Sequence, residues 1–225
     1  ALQPHLTLIS PPAAANAYQR GALAKRTFDV TAAAIGILLL SPVFLGLYLA
    51  TRLSSRGPAI YTQRRVGAGG RRFAFYKFRT MVHRNDDSIH RAYSERLING
   101  WAQRDGGRAF KLTTDPRVTP FGRFLRKSSL DELPQLFNVL RGDMSLVGPR
   151  PPIEYEVDYY QDWHKQRLQA KPGITGLWQV SGRSQVPFDE MVMLDIHYME
   201  HWSFLLDLKI LLRTFPVVVF GVGGY

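Results

Sequence analysis

The sequence predicts an α/β (α+β) domain built onto a single membrane element. Three features carry that prediction: a run of nineteen residues without a charge at 32–50, two β-type runs around a glycine turn between residues 59 and 81, and helical hydrophobic spacing downstream of Pro120. A chain of 225 residues with 45% hydrophobic content is long enough for one sizeable domain and a membrane element together. The absence of cysteine excludes thiolate catalysis, disulfides and Cys-type zinc sites, and the six His show no HExxH-type ligand spacing. No internal repeat, heptad run or low-complexity tract is present.

Taken in order, residues 1–24 read as a flexible N-terminal extension. Residues 1–19 hold three Pro and no Lys, Arg, Asp or Glu, and they lack the basic start of a signal peptide. Residues 25–53 read as the membrane helix. Its uncharged run AAAIGILLLSPVFLGLYLA is about 28 Å long as a helix, against about 30 Å of hydrocarbon core. Arg20, Lys25 and Arg26 precede it and Arg52, Arg56, Arg64 and Arg65 follow it, so neither flank is the poorer in the positive charge that prefers the cytoplasmic side. Ser41-Pro42 sits in the middle, where proline removes a helix hydrogen bond and kinks the chain. Two arrangements follow from the residues: a re-entrant helix that bends at Ser41-Pro42 and returns to the face it entered, and a kinked helix that spans. In either, the carbonyl freed by Pro42 needs a donor, and the Ser41 hydroxyl is within reach of it.

Residues 54–225 form the remaining domain. AIYTQRRV and RRFAFYKFRTM around GAGG predict a β-hairpin. Residues 85–110 are polar and predict a helix and a loop with no chemical signal. PFGRFLRK, 120–127, predicts an amphipathic helix suited to a membrane interface or to packing on a core. Leu133, Leu136, Phe137 and Leu140 follow the i, i+3, i+4, i+7 rule, Gly142 suits the helix end, and Pro134 restricts the helix start to the neighbourhood of Asp131. Within SSLDELPQ, 128–135, Ser129 and Glu132 have the spacing of a capping box. The C-terminal WSFLLDLKILLRTFPVVVF is apolar but interrupted by Asp207, Lys209, Arg213 and Pro216, which predicts an interfacial or core-packed segment instead of a spanning one.

The formal net charge of +11 implies an anionic partner: nucleic acid, an anionic membrane surface or a phosphorylated substrate. Residues 1–80 hold eleven Lys and Arg against the single acid Asp29, whereas residues 128–225 hold eight basic and twelve acidic residues. The positive charge therefore clusters around the apolar run. Against that background the adjacent carboxylates Asp131 and Glu132 stand out. Lys77 and Arg79 on the hairpin, Arg126, and Arg150 held extended between Pro149 and Pro151 supply cations, while the two acids offer a metal ligand and a nucleophile. Those are the parts that phosphoryl transfer requires.

Six ordered motifs, KRTFDV (25–30), QRRVG (63–67), KFRTM (77–81), SSLDELPQLFNVLRGDMSLVGPRPP (128–152), KPGITGLWQVSGR (171–183) and LDIHYMEHWSFLLDLKIL (194–211), together resemble the bacterial sugar transferases, the monotopic phosphoglycosyl transferases. The resemblance runs from about Lys25 to the end. It implies transfer of a sugar-1-phosphate from a nucleoside diphosphate sugar, expected to be a UDP-sugar, to polyprenyl (undecaprenyl) phosphate, with magnesium, as the first membrane step of surface glycan or exopolysaccharide assembly. It makes Asp131 the nucleophile of a covalent phosphosugar intermediate and Glu132 the magnesium ligand. It sets Arg126 against phosphate, and it gives Lys77, Pro149, Arg150 and Pro151 to the substrate site, with Asp195 and Tyr198 matching a further family motif. The implied fold is a monotopic membrane protein in which a re-entrant helix, bent at Ser41 and Pro42, joins a small cytoplasmic catalytic domain with a β-hairpin and interfacial helices. The implied location is the cytoplasmic face of a bacterial inner membrane, and the chain resembles the minimal form of the family. Partners are then the nucleotide sugar, the polyprenyl phosphate and membrane lipids, without nucleic acid, and homodimerisation is the assembly to be tested. A basic surface protein without catalysis would explain the charge but not Asp131-Glu132, and a phospholipid headgroup transferase would show a spaced Asp series on several spanning helices.

Overall fold

The computed structural model describes residues 18, 21–82, 88–100, 117–181 and 186–219. Helix α1, Ala22–Ser54, carries Pro42 in its interior and is continuous through it. The Ser41 hydroxyl donates to the Leu38 carbonyl at 2.8 Å. Leu38 is the residue whose helical partner would have been the missing N–H of Pro42, so the local repair expected from the sequence is in place.

The hairpin follows as β1, Ile60–Val66, and β2, Arg72–Phe78, paired antiparallel from Ile60↔Phe78 to Val66↔Arg72. Gly69 and Gly70 turn the chain at φ 64° and 76°, a region glycine enters without strain. Helix α2, Ser88–Ile98, is the described part of the polar 85–110 segment, whose Gly106-Gly107 lie outside the described residues. The remaining helices are α3, Pro120–Lys127, α4, Gln135–Arg141, α5, Leu177–Ser181, α6, Phe188–Glu200, and α7, Phe204–Val219. Strand β3, Ser145–Val147, runs parallel to β4, Gly173–Thr175. Tight 3-10 turns cover Leu130–Glu132, Glu154–Tyr159 and His164–Gln169.

The capping box expected at Ser129 and Glu132 does not form. Ser129 adopts a left-handed conformation, φ 56°, and its side chain caps nothing. Pro134 occupies the N-cap position of α4, so the chain enters that helix through a separate turn, Leu130–Glu132, and the acid pair sits on that turn. The end of α4 is as expected, with Gly142 at φ 89° closing it.

Helix α1 is part of the domain, not an appendage. Ala33 is buried with Phe73, Phe75, Val139 and Met144, where α1, the hairpin and α4 meet. Lys25 forms a buried ion pair with Asp207 of α7 at 2.5 Å. Arg26 donates to the Val139 and Leu140 carbonyls at the end of α4, and Asp29 accepts from the Leu146 N–H of β3 at 3.1 Å. Near the other end of the helix, Phe44 meets Phe78 and Phe137, and the Thr51 carbonyl accepts from Arg79. Docking contacts thus extend from Lys25 to Thr51, about 39 Å along the axis. Lys25 and Arg26, which count as topological charges in the sequence, serve here as docking groups. The opposite side of α1 is apolar and exposed at Leu23, Leu38, Leu39 and Leu53, and the helix is long and apolar enough to cross a membrane.

The amphipathic α3 divides its apolar residues. Leu125 is fully buried, whereas Phe124 is exposed. Thr119 caps α3 by accepting from the Gly122 N–H at 2.9 Å. A β-carbon on Gly122 would lie 2.0 Å from the Thr80 carbonyl, so only glycine lets α3 reach the end of β2. The C-terminal α7 buries Asp207 and Ile210 and exposes Phe204, Leu205, Leu208, Leu212 and Phe215, an arrangement that fits the interfacial expectation.

Candidate active site

Strand alternation makes the hairpin two-faced. Tyr61, Gln63 and Arg65 of β1 lie opposite Lys77, Phe75 and Phe73 of β2, and these six residues share one face. On that face Arg65 is buried, stacked 4.4 Å over the Phe75 ring, and Lys77 lies 5.5 Å from the Tyr61 ring. Asn138 of α4 ties the outer edge of β2 by donating to the Ala74 carbonyl at 2.6 Å and accepting from the Tyr76 N–H at 3.1 Å. That tie sets α4, and the acid-bearing turn before it, against the strand that carries Lys77.

Asp131 is 8% exposed. Burial, reinforced by the neighbouring Glu132 charge, pushes its carboxyl up to about 7, while Lys77 and Arg126 pull the other way. Burial likewise pushes Lys77 down to about 8, against the attraction of Asp131 and with the repulsion of Arg65, Arg126 and Arg150. Arg65 is pushed down to about 10, by burial first and then by Arg150. Lys77, Arg126 and Glu132 thus act on Asp131, and Arg65, Arg126 and Arg150 act on Lys77, as one electrostatic cluster. Arg126 is oriented by Thr80, whose hydroxyl accepts from its Nε at 2.9 Å.

The loop carrying Arg150 is held by its carbonyls. Pro149 accepts from Gly173 N–H at 2.9 Å, Pro151 from Arg65 Nη1 at 2.6 Å and Pro152 from Val66 N–H at 3.0 Å. A β-carbon on Gly173 would lie 2.1 Å from the Gly148 nitrogen, which accounts for the glycine of KPGITG. Glu156 closes the loop from behind by accepting from the Ile153 N–H at 2.8 Å. His90 lies beside this cluster with Nδ1 2.5 Å from the Tyr155 hydroxyl. Burial above all holds its pKa below the ordinary value, with Arg150, Arg65 and Lys77 adding to the effect.

The sequence pattern of the family described as bacterial sugar transferase matches residues 20–221. The chain belongs to the bacterial sugar transferase family. Among curated members, this sugar transferase is 48% identical over 203 residues to the galactosyl transferase CpsE of Streptococcus agalactiae serotype III, covering 90% of this chain and 43% of that protein. It is 43% identical over 205 residues to the exopolysaccharide production protein ExoY of Rhizobium meliloti, covering 91% of this chain and 89% of that one. It is 45% identical over 211 residues to the UDP-glucose:undecaprenyl-phosphate glucose-1-phosphate transferase of Caulobacter vibrioides, with 90% and 72% covered. The chain therefore spans less than half of CpsE and most of ExoY.

Not every family-motif residue is brought into the cluster of this sugar transferase. Arg79 turns its guanidinium away from it, to the carbonyls of Thr51, Ser55 and Pro58 and the Ser55 hydroxyl, and so fastens the end of α1. Asp195 is buried in an ion pair with Arg167, which in turn donates to the Arg150 carbonyl at 3.5 Å. Tyr198 is buried between α6, β3 and α7, donating to Asp207 at 2.6 Å with the Val147 carbonyl at 3.2 Å. Both Asp195 and Tyr198 are buried in these contacts. Arg65, Asn138, Glu156 and Arg167 are the structural contributors that sequence reading passes over. QRRVG contains Arg65, but only its register in the hairpin shows that it is buried.

Proposed function

We propose that the chain transfers a sugar-1-phosphate from a nucleoside diphosphate sugar, a UDP-sugar on the analogy of the Caulobacter relative, to undecaprenyl phosphate. The observation that carries this reading is a buried aspartate, Asp131, acted on by Lys77 and Arg126, with Arg65 and Arg150 acting on Lys77 in turn, a cationic setting suited to phosphate oxygens. Asp131 attacks the phosphorus bonded to the sugar. The bond from that phosphorus to the bridging oxygen breaks, and the nucleoside monophosphate leaves with the electron pair. An oxygen of the acceptor phosphate then attacks the same phosphorus, the Asp131 oxygen–phosphorus bond breaks, and a polyprenyl diphosphate sugar is formed with Asp131 restored. Arg126, Arg150 and Lys77 hold the phosphate oxygens, and Arg65 holds the Arg150 loop through the Pro151 carbonyl.

Among the described residues no group of three or more His, Cys, Asp and Glu gathers. The protein therefore offers magnesium one or two carboxylates, which is how that ion is held where substrate phosphates complete its shell. Half-exposed Glu132 fits as its ligand. When bound, the ion would neutralise charge on the phosphate oxygens of the donor and of the departing nucleoside monophosphate.

The docking of α1 supports a re-entrant helix with both ends cytoplasmic. A straight crossing would carry a domain attached along about 39 Å of helix into the hydrocarbon, whereas a helix that enters, bends at Ser41-Pro42 and returns keeps the domain at the interface, where soluble donor and lipid-borne acceptor meet. Cysteines placed singly at Ala22 and Ser55 should both be protected from a membrane-impermeant thiol reagent in intact cells. Labelling at Ala22 alone would instead establish a spanning helix.

Incubation of the purified chain with a panel of nucleotide sugars and undecaprenyl phosphate should liberate nucleoside monophosphate from one of them, and release from none would reject the transferase reading. The pH profile is expected to be bell-shaped. Asp131 must be ionised to attack, so kcat/KM for the donor rises through about pH 7. Lys77 must be charged to hold phosphate, so it falls through about pH 8, both limbs being properties of the coupled pair. Lys77→Arg, which stays charged, should remove the alkaline limb, and an unchanged limb would dissociate Lys77 from it.

A further inference from the structure

We propose that His90 holds a hydroxyl of the donor's sugar and thereby helps choose which sugar is transferred, a deduction that rests on the transferase reading above. The polar 85–110 segment carries no chemical signal as a sequence, but its described helix, α2, stands against the Arg150 loop. Ser94 of α2 is buried and donates to Glu156 Oε1 at 3.4 Å, and the other oxygen of Glu156 accepts from the Ile153 N–H at 2.8 Å. Ser94 and Glu156 also line a small cavity together with Arg150, Pro151 and Pro152. The helix is thereby fastened to the chain that carries Arg150. His90 lies four residues before Ser94, one turn along the same face of α2.

The imidazole is fixed by one nitrogen and open at the other. Nδ1 lies 2.5 Å from the Tyr155 hydroxyl and 3.2 Å from Ser94 Oγ. The Tyr155 ring is itself buried and lies 4.3 Å from the Arg91 guanidinium stacked over it, which steadies the hydroxyl that orients His90. Nε2 makes no hydrogen bond among the described residues. Burial first, and then Arg150, Arg65 and Lys77 against the attraction of Glu156, keep the ring uncharged at neutral pH. An uncharged Nε2 offers one donor or one acceptor according to the tautomer, and a hydroxyl, which both donates and accepts, pairs with it in either state. A phosphate oxygen only accepts, and the cations match it better. Lys77 acts on both Asp131 and His90, and Arg150 acts on both Lys77 and His90. The imidazole thus lies in the field of the groups assigned to the phosphates, and the sugar is the part of the donor bonded directly to the phosphate that Asp131 attacks.

The test measures kcat/KM for the nucleotide sugar that the wild-type chain turns over fastest and for its monodeoxy sugar analogues. Deleting one particular hydroxyl should lower the wild-type value about tenfold, the scale of one lost hydrogen bond. His90→Phe should lower the value for the intact donor by about the same factor and be indifferent to loss of that hydroxyl, as expected of two groups that pair with each other. His90→Gln, which can still pair with a hydroxyl, should recover part of the loss, and Tyr155→Phe, which releases Nδ1, should fall between wild type and His90→Phe. Inhibition by the nucleoside monophosphate, which lacks the sugar, should be the same in all four proteins. A His90 that only braces α2 would leave wild type and His90→Phe equally sensitive to every deoxy position, and that result overturns the proposal. Monophosphate inhibition weakened in His90→Phe would put the contact on the nucleotide and overturn it as well. Turnover of no nucleotide sugar by the wild type would instead reject the transferase reading, and this inference with it.

Discussion

Asp131→Asn is expected to lower turnover by roughly 10⁴-fold or more, the scale seen when a covalent nucleophile is removed, while making the protein more resistant to heat at pH 8. The two effects have one cause. Burial raises the Asp131 carboxyl to about 7 in the folded protein, well above its ordinary value of 3.8. A group raised in this way contributes its stability below the unfolded value and loses it as pH rises through the folded one. At pH 8 the wild-type fold therefore holds a carboxylate against burial, and the isosteric amide relieves it. Intact-protein mass spectrometry after mixing with donor should show a phosphosugar adduct on the wild type and none on Asp131→Asn, and thermal melts should rank the variant above the wild type at pH 8 but not at pH 4. Substantial residual turnover in the variant would sink the nucleophile assignment. A melting temperature lowered at pH 8 would show that Asp131 is a structural anion instead.

Metal removal has the next largest expected effect. Exhaustive chelation should abolish turnover, and magnesium should restore it. Glu132→Gln should raise the magnesium concentration needed for half-maximal rate by roughly tenfold or more, since ligand charge sets the affinity of hard-cation sites. Binding of the paramagnetic substitute Mn²⁺, followed by electron spin resonance in the presence of a non-reacting donor analogue, should weaken in parallel. Activity that survives chelation, or Glu132→Gln with the wild-type metal dependence, counts against this role. Because Glu132 is half-exposed, its substitution leaves the core intact, and a metal effect can be read without a folding effect.

Local spacing determined much of this protein by itself. The hairpin, α3 and α4 follow from side-chain periods of two and about 3.6, from glycines at the turns and from proline at helix starts. The uncharged run determined α1, and Ser41 beside Pro42 determined how the freed carbonyl is satisfied. The ordered motifs picked out Asp131, Glu132, Arg126 and Arg150 as candidates. Whether a side chain is buried, and against what, is decided by residues far away in the chain, and there the sequence alone misleads. Lys25 reads as a topological charge because its partner, Asp207, lies 182 residues on. Ser129 reads as a cap because only the packed structure puts it in a left-handed turn. The burial of Tyr198 against Asp207 and of Asp195 against Arg167 likewise has no local signature. Tertiary structure also decided that the two faces of one hairpin differ in surroundings, with Arg65 and Lys77 on one and an apolar groove on the other. The alternation is written in seven residues of each strand, but that α1 meets both faces, Ala33 against Phe73 and Phe75 and Phe44 against Phe78, is settled only when the helix, the strands and α4 close together.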